Sequence, residues 1–228
     1  RFVAYGAQGK LMRIAVAGGP PQIVCSLSMN DAPTGAWGRD GVIVFSHGDN
    51  SPLFRVPAGG GQPMQVTMLR AGDSRHTWPT LLPDGRHVLF YVSAASEETS
   101  GIYVAPLDTG ELTRVLAADT GGIYTPQAGR LLFVRQGTLL AQSFDPNTRT
   151  PSGEPLPVAE RVESGTFVGM VAFSVSDTGV LAYGIGSSSN TLQMVWVDRA
   201  GRTIGTVGPQ ANYRGLDISP DGTQVAAH

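Results

Sequence analysis

Apolar residues in this chain fall in short unbroken runs rather than at helical spacing. Val42-Ile43-Val44-Phe45, His87-Val88-Leu89-Phe90-Tyr91-Val92, Leu131-Leu132-Phe133-Val134 and Val180-Leu181-Ala182-Tyr183 are rich in β-branched, aromatic and leucine side chains. Runs of that length between turn residues predict buried strands and are too short for helices. A turn glycine stands just ahead of each run: Gly41, Gly85, Gly129 and Gly179, with Gly222 opening a fifth. These glycines recur every 43 to 50 residues. An abundance of glycine alone would not place an apolar strand after each one.

The stretch from His76 to Ala117 shows the whole unit. A partly apolar run ends at Pro83-Asp84-Gly85, where Pro presets φ, Asp bonds nearby backbone and Gly accepts φ > 0. A buried strand follows, then the polar loop from Ser93 to Ser100, then Ile102-Tyr103-Val104-Ala105-Pro106-Leu107. Asp108-Thr109-Gly110 turns the chain again, into an outer strand from Leu112 to Leu116. One such four-stranded meander has two faces and nothing to bury them against, so copies must stack. A period of about 40–50 residues with four strands each is the signature of propeller blades.

The expected fold is therefore all-β, a β-propeller of four-stranded antiparallel blades. One domain spans 1–228, with a partial blade at 1–27, blades at 34–69, 76–117, 123–162 and 171–207, and a partial blade at 215–228. That makes about six blades and 21 strands, with no helix and no interdomain linker. Gly59-Gly60-Gly61 makes the third turn of the second blade, and the Pro-rich stretch from Pro151 to Pro157 precedes an outer strand.

Composition narrows the function classes. Sixteen basic residues against 18 acidic ones leave no basic stripe for nucleic acid and no acidic tail. The single Cys25 excludes an internal disulfide framework, and its apolar run predicts a buried structural thiol. No run of eighteen apolar residues is present, so no membrane span is expected in this chain. The chain starts at Arg1 rather than Met, inside one predicted strand, and stops at His228 inside another. It reads as an excerpt of a longer protein.

Candidate chemistry is sparse. Gly184-Ile185-Gly186-Ser187-Ser188-Ser189 begins like a dinucleotide loop but lacks the third glycine and a following helix, so a strand-to-strand loop is the better reading. There is no G-x-S-x-G nucleophile elbow. His47, His76, His87 and His228 are not at zinc-ligand spacing, and His47-Gly48-Asp49 reads as a turn. Asp145-Pro146-Asn147 starts like a calcium loop, but Arg149 and the missing glycine favour a hairpin turn. Asp40, Asp84, Asp177 and Asp221 recur with the repeat, as turn residues would. No catalytic residue, metal or cofactor is expected. The candidate binding residues precede the innermost strands, where connections open at one mouth of a propeller channel. They are Asn30, Asp31, Arg75, His76, Tyr124, Phe167, Tyr213 and Arg214. Arginines and tyrosines gathered there would suit an anionic or aromatic group. The competing reading makes them ordinary loop residues, with Trp37 and Trp78 packing between blades.

Pro83-Asp84-Gly85-Arg86-His87-Val88-Leu89-Phe90 and Ser219-Pro220-Asp221-Gly222-Thr223-Gln224-Val225-Ala226 resemble the repeat of TolB-like (PD40, WD40-like) propellers. The segment from Gly129 to Asp145, His76-Thr77-Trp78-Pro79, Ala172 to Ser176 and Trp196 to Gly201 resemble the C-terminal propeller of bacterial eukaryote-like Ser/Thr protein kinases, as in Acidobacteria. That resemblance implies a non-catalytic module lying outside the membrane, periplasmic or at the cell surface. It would bind a protein segment or small ligand at its mouth and report to a kinase domain elsewhere in the parent chain. The kinase is not in these residues: there is no Gly-rich loop with a strand Lys, no His-Arg-Asp loop and no Asp-Phe-Gly. Two alternatives remain, a propeller gating a prolyl-oligopeptidase or tricorn-like peptidase, and a freestanding TolB-like periplasmic scaffold.

Overall fold

The computed structural model describes residues 2–27, 33–108, 110–162, 169–170, 173–176, 178–185, 192–197, 202–211, 216–219 and 221–227. Among them every regular element is a strand. The chain divides into two compact units, Arg1–Arg114 and Val115–His228.

In the first unit, β1 (Phe2–Ala7), β2 (Lys10–Ala15) and β3 (Gln22–Ser26) form a three-stranded antiparallel sheet. The second sheet is β4 (Thr34–Trp37), β5 (Val42–Ser46), β6 (Leu53–Pro57) and β7 (Met64–Gln65). The third is β8 (Asp73–Leu81), β9 (His87–Ala94), β10 (Gly101–Pro106) and β11 (Thr113–Leu116), whose last residues reach the second unit. That second unit holds β12 (Ile123–Thr125), β13 (Arg130–Arg135), β14 (Thr138–Asp145) and β15 (Thr150–Ala159). Next come β16 (Phe173–Val175), β17 (Leu181–Ile185), β18 (Leu192–Val197) and β19 (Thr203–Ala211), and finally the pair β20 (Leu216–Ile218) and β21 (Val225–Ala227). Each four-stranded sheet is a meander in sequence order. Counted as blades this gives five rather than about six, because the last two strands, three residues each, make only a two-stranded antiparallel pair among the described residues.

The unbroken apolar runs follow from burial on both faces. Along β5, Ile43 and Phe45 join Leu11, Val24 and Cys25 in the core between the first two sheets. Val44, pointing the other way, joins Leu53, Val66, Val88, Phe90, Val92 and Tyr103 between the second and third. Successive strand side chains alternate faces, so a sheet covered on both sides needs apolar residues at every position. The second unit repeats the device: Leu132, Val134 and Leu139 pack against Phe173, Leu181, Tyr183 and Val197. Cys25 is buried between the first two sheets as a small apolar group, and burial pushes its thiol pKa up.

The recurring glycines sit where the repeat needs them. Gly41, Gly85, Gly129, Gly179 and Gly222 all have φ between 59° and 84°. The neighbouring aspartates close the turns. Asp84 Oδ1 accepts from the Arg86 and His87 amides at 2.9 and 3.1 Å, and Asp221 Oδ1 from the Thr223 amide at 3.1 Å. Asp145 likewise accepts from the Asn147 amide at 2.8 Å, a hairpin turn. Asp177 lies outside the described residues. The outermost strand β15 carries Pro151, Pro155 and Pro157, which lack an N–H and so suit a sheet edge. No helix among the described residues is long and apolar enough to cross a membrane.

Candidate functional site

The densest polar chemistry surrounds β8, the first strand of the third sheet, which packs against β4, β5 and β6 of the second. A tight turn, Arg70 to Asp73, leads into it; the Asp73 amide donates to the Arg70 carbonyl at 3.0 Å, and Gly72 takes φ 93°. The turn returns the Asp73 carboxylate onto Arg70. Arg70 Nε and Nη2 reach it at 3.0 and 3.2 Å, and the Arg70 amide at 2.9 Å. The Arg70 guanidinium also lies 4.6 Å from the centre of the Tyr103 ring.

Asp73 holds His76. Its Oδ2 is 3.2 Å from His76 Nε2, and the other ring nitrogen, Nδ1, is 2.8 Å from Thr67 Oγ1. The Thr67 hydroxyl accepts from the Leu53 amide at 2.9 Å, so its one proton is free for Nδ1. That assigns the proton on the ring to Nε2, donated to Asp73. Thr67, His76 and Asp73 are thus lined up like a hydroxyl–imidazole–carboxylate relay. Yet Thr67 and His76 are both 0% exposed and the Asp73 side chain 2%. Burial pushes the His76 pKa below its ordinary value, against the pull of Asp73. Burial alone would raise the Asp73 carboxyl, but hydrogen bonds from Arg70 and His76 outweigh it and leave it below the usual range. Closed to solvent, and with the Thr67 oxygen also accepting from Leu53, this relay is a structural clamp between two sheets.

One residue earlier, Arg75 is a different case. Its Nη1 pairs with the Asp49 carboxylate, on the loop between β5 and β6. Its Nε is buried and has no hydrogen-bond partner among the described residues. One residue later, Thr77 Oγ1 meets Thr34 Oγ1 at 2.9 Å; Thr34 also meets Ser46 Oγ at 2.9 Å and accepts from the Trp78 amide at 2.9 Å. Trp78 has φ 54° and precedes Pro79, a conformation disfavoured both for a bulky side chain and for a pre-proline residue. It lies where the β8–β9 register shifts, between Thr77 and Thr80.

Arg75 and His76, predicted just ahead of the innermost strand, lie within it, because β8 starts upstream at Asp73, which pairs with Ala94. His76 does not line an open mouth; both its nitrogens are engaged in the interior. Tyr124, in β12, packs edge-on against Phe144 at 5.6 Å, and burial with the nearby Asp145 charge raises its pKa. Asn30, Asp31, Phe167, Tyr213 and Arg214 lie outside the described residues. The structure brings Arg75 and His76 together on one strand. Sequence reasoning missed Thr67, Asp73 and Asp49, for which Gly72-Asp73 and Gly48-Asp49 offered only turn signals. Among the described residues no group of three His, Cys, Asp or Glu could hold a metal ion.

No family model and no curated protein matches this sequence. Solved structures do. A gluconolactonase from Xanthomonas campestris superposes with a TM-score of 0.73 at 15% identity, over 100% of this chain and 79% of that one. TolB from Acinetobacter baumannii gives 0.67 at 19%, over 98% and 56%. The fold is a β-propeller. A puromycin-hydrolyzing peptidase from Mycobacterium tuberculosis shares this propeller fold at 0.62 and 15%, over 100% and 49%. This propeller chain spans about half the length of the peptidase and of TolB. Its fold therefore occurs in proteins named as enzymes and in one that is not.

Proposed function

We propose that this chain is a non-catalytic propeller module that binds a protein segment or a small ligand. The observation that carries this reading is the state of the Thr67–His76–Asp73 line. Where a nucleophile, base and orienting acid align, the hydroxyl is sealed and committed to a backbone amide, so the arrangement serves packing. These three groups are thus engaged in holding sheets together.

The likeness of the segment from Gly129 to Asp145 to kinase-linked propellers supports placing the module in a bacterial receptor Ser/Thr kinase, outside the membrane. Binding would act by shifting the populations of two signalling states, which requires different affinities for them. The test is the parent reading frame together with a pulldown by this chain from periplasmic and cell-surface extract. A kinase domain upstream and a retained partner are the expected result. A G-x-S-x-G hydrolase domain downstream would replace this reading with a peptidase-gating role, and a turnover assay showing hydrolysis by this chain alone would refute it.

A further inference from the structure

Within that binding role, we propose that Arg75 is the anion-binding residue, that its ligand is a carboxylate, and that Asp49 competes with the ligand for the guanidinium. Arginine presents two edges for fork-like pairing, and the Nε edge suits the two oxygens of a carboxylate. In Arg75, Nη1 is held by Asp49, while Nε is buried without a partner among the described residues. Buried donors are nearly always paired in folded proteins, so an unpaired one marks a place where an acceptor belongs.

The competitor is held weakly and positioned firmly. Asp49 is 73% exposed, against 25% for Arg75, and an ion pair so open to water contributes little. It rides on a short loop with Gly48 at φ 118° and Asn50 at φ 52°. Ser51 fixes the base of that loop: its hydroxyl accepts from the His47 amide at 3.0 Å, and its carbonyl from the His76 amide at 2.9 Å. Only the tip carries the carboxylate. Three residues along β8 from Arg75 is Trp78, a left-handed residue before proline inside a strand. Strained backbone of this kind concentrates at ligand sites. Two carboxylates near one guanidinium compete for a single charge, so binding and release are both built into the pair.

The test uses the whole ¹⁵N-labelled chain and the Arg75 Nε–H cross-peak, assigned by its loss in Arg75→Lys. If that variant does not fold, Asp49→Asn assigns the peak by moving it. The probes are acetate, a tripeptide with a free C-terminus, the same tripeptide amidated, and inorganic phosphate. A saturable shift with acetate identifies a free organic acid as sufficient; a shift with the tripeptide acid but not acetate identifies a peptide C-terminus. Either supports the proposal. Asp49→Asn should then saturate at about fivefold lower probe concentration, the worth of an exposed ion pair. A peak unmoved by both carboxylates, moved equally by the amide, or moved only by phosphate overturns it. A partner retained equally by wild type and Arg75→Lys would overturn the role of Arg75 and leave the broader binding role standing.

Discussion

Thr67→Val tests the buried clamp at its most exposed energetic point. Valine matches threonine in shape, so packing against Leu53 and His76 is kept while the hydroxyl goes. Two groups then lose their partner in a site closed to water: the Leu53 N–H and His76 Nδ1. Each orphaned buried polar group costs about 1–3 kcal/mol, so the pair predicts about 3 kcal/mol. For a chain of this length that corresponds to a fall in Tm of about 6–12 °C. Urea denaturation followed by tryptophan fluorescence measures it, and a loss below about 0.5 kcal/mol would refute the assigned hydrogen bonds. The pH dependence gives a second check. His76 has a lower pKa folded than unfolded, so the unfolded chain binds its proton more tightly. The stability this group contributes is complete above pH about 6.5 and falls as the pH drops from there toward its folded value. Asp73, also held low, contributes above the ordinary aspartate range and is lost only as the pH falls through its lower folded value. His76→Leu should flatten the slope near pH 6 relative to wild type; equal slopes would mean that the ring is not buried neutral.

Two smaller perturbations address the repeat. At Gly85, with φ 65°, an added Cβ would meet nothing within 4 Å, so Gly85→Ala isolates backbone strain and should cost about 1–2 kcal/mol in the same urea assay. Thr34 Oγ1 accepts from the Trp78 amide, and Ser174 Oγ from the Ile218 amide at 3.1 Å, each across 44 residues. Thr34→Val and Ser174→Ala should each cost about 1–2 kcal/mol and speed amide exchange at Trp78 and Ile218 respectively; unchanged exchange would show that these clasps carry nothing.

The fold was legible because its rule is local. A glycine at positive φ, an aspartate closing the turn and a strand apolar on both faces recur together, and each leaves a mark in the order of residues. The blade count was less legible, because a strand pair such as β20–β21 carries the same turn signal as a full sheet. The polar site was hardly legible at all. Thr67 and His76 meet only when two sheets stack, and nothing near Thr67 distinguishes it from an exposed threonine. Asp49 and Asp73 follow glycines in turn-like sequence, which reports the turn and not the partner across it. Arg75 and His76 were singled out for standing near an innermost strand. Register then placed them inside the strand, with opposite fates.

Those fates set the polar side chains of the first strands apart from the apolar packing of the sheets. In the first unit the buried cluster between the second and third sheets is built from β5, β6, β9 and β10 with Val66 and Leu107, and β8 adds the partly buried Leu81 at its end. The first strands of these sheets carry the polar side chains: Thr34, Arg75, His76 and Thr77. The apolar burial thus lies with the middle strands, and the first strands add polar clasps to it. His76 has every hydrogen-bonding atom satisfied and is thereby chemically silent. Arg75, one position away, has a buried donor with no partner among the described residues, which costs some stability. That cost is repaid only if something else supplies the acceptor, which is why Arg75, and not the relay-like histidine beside it, is the residue to follow.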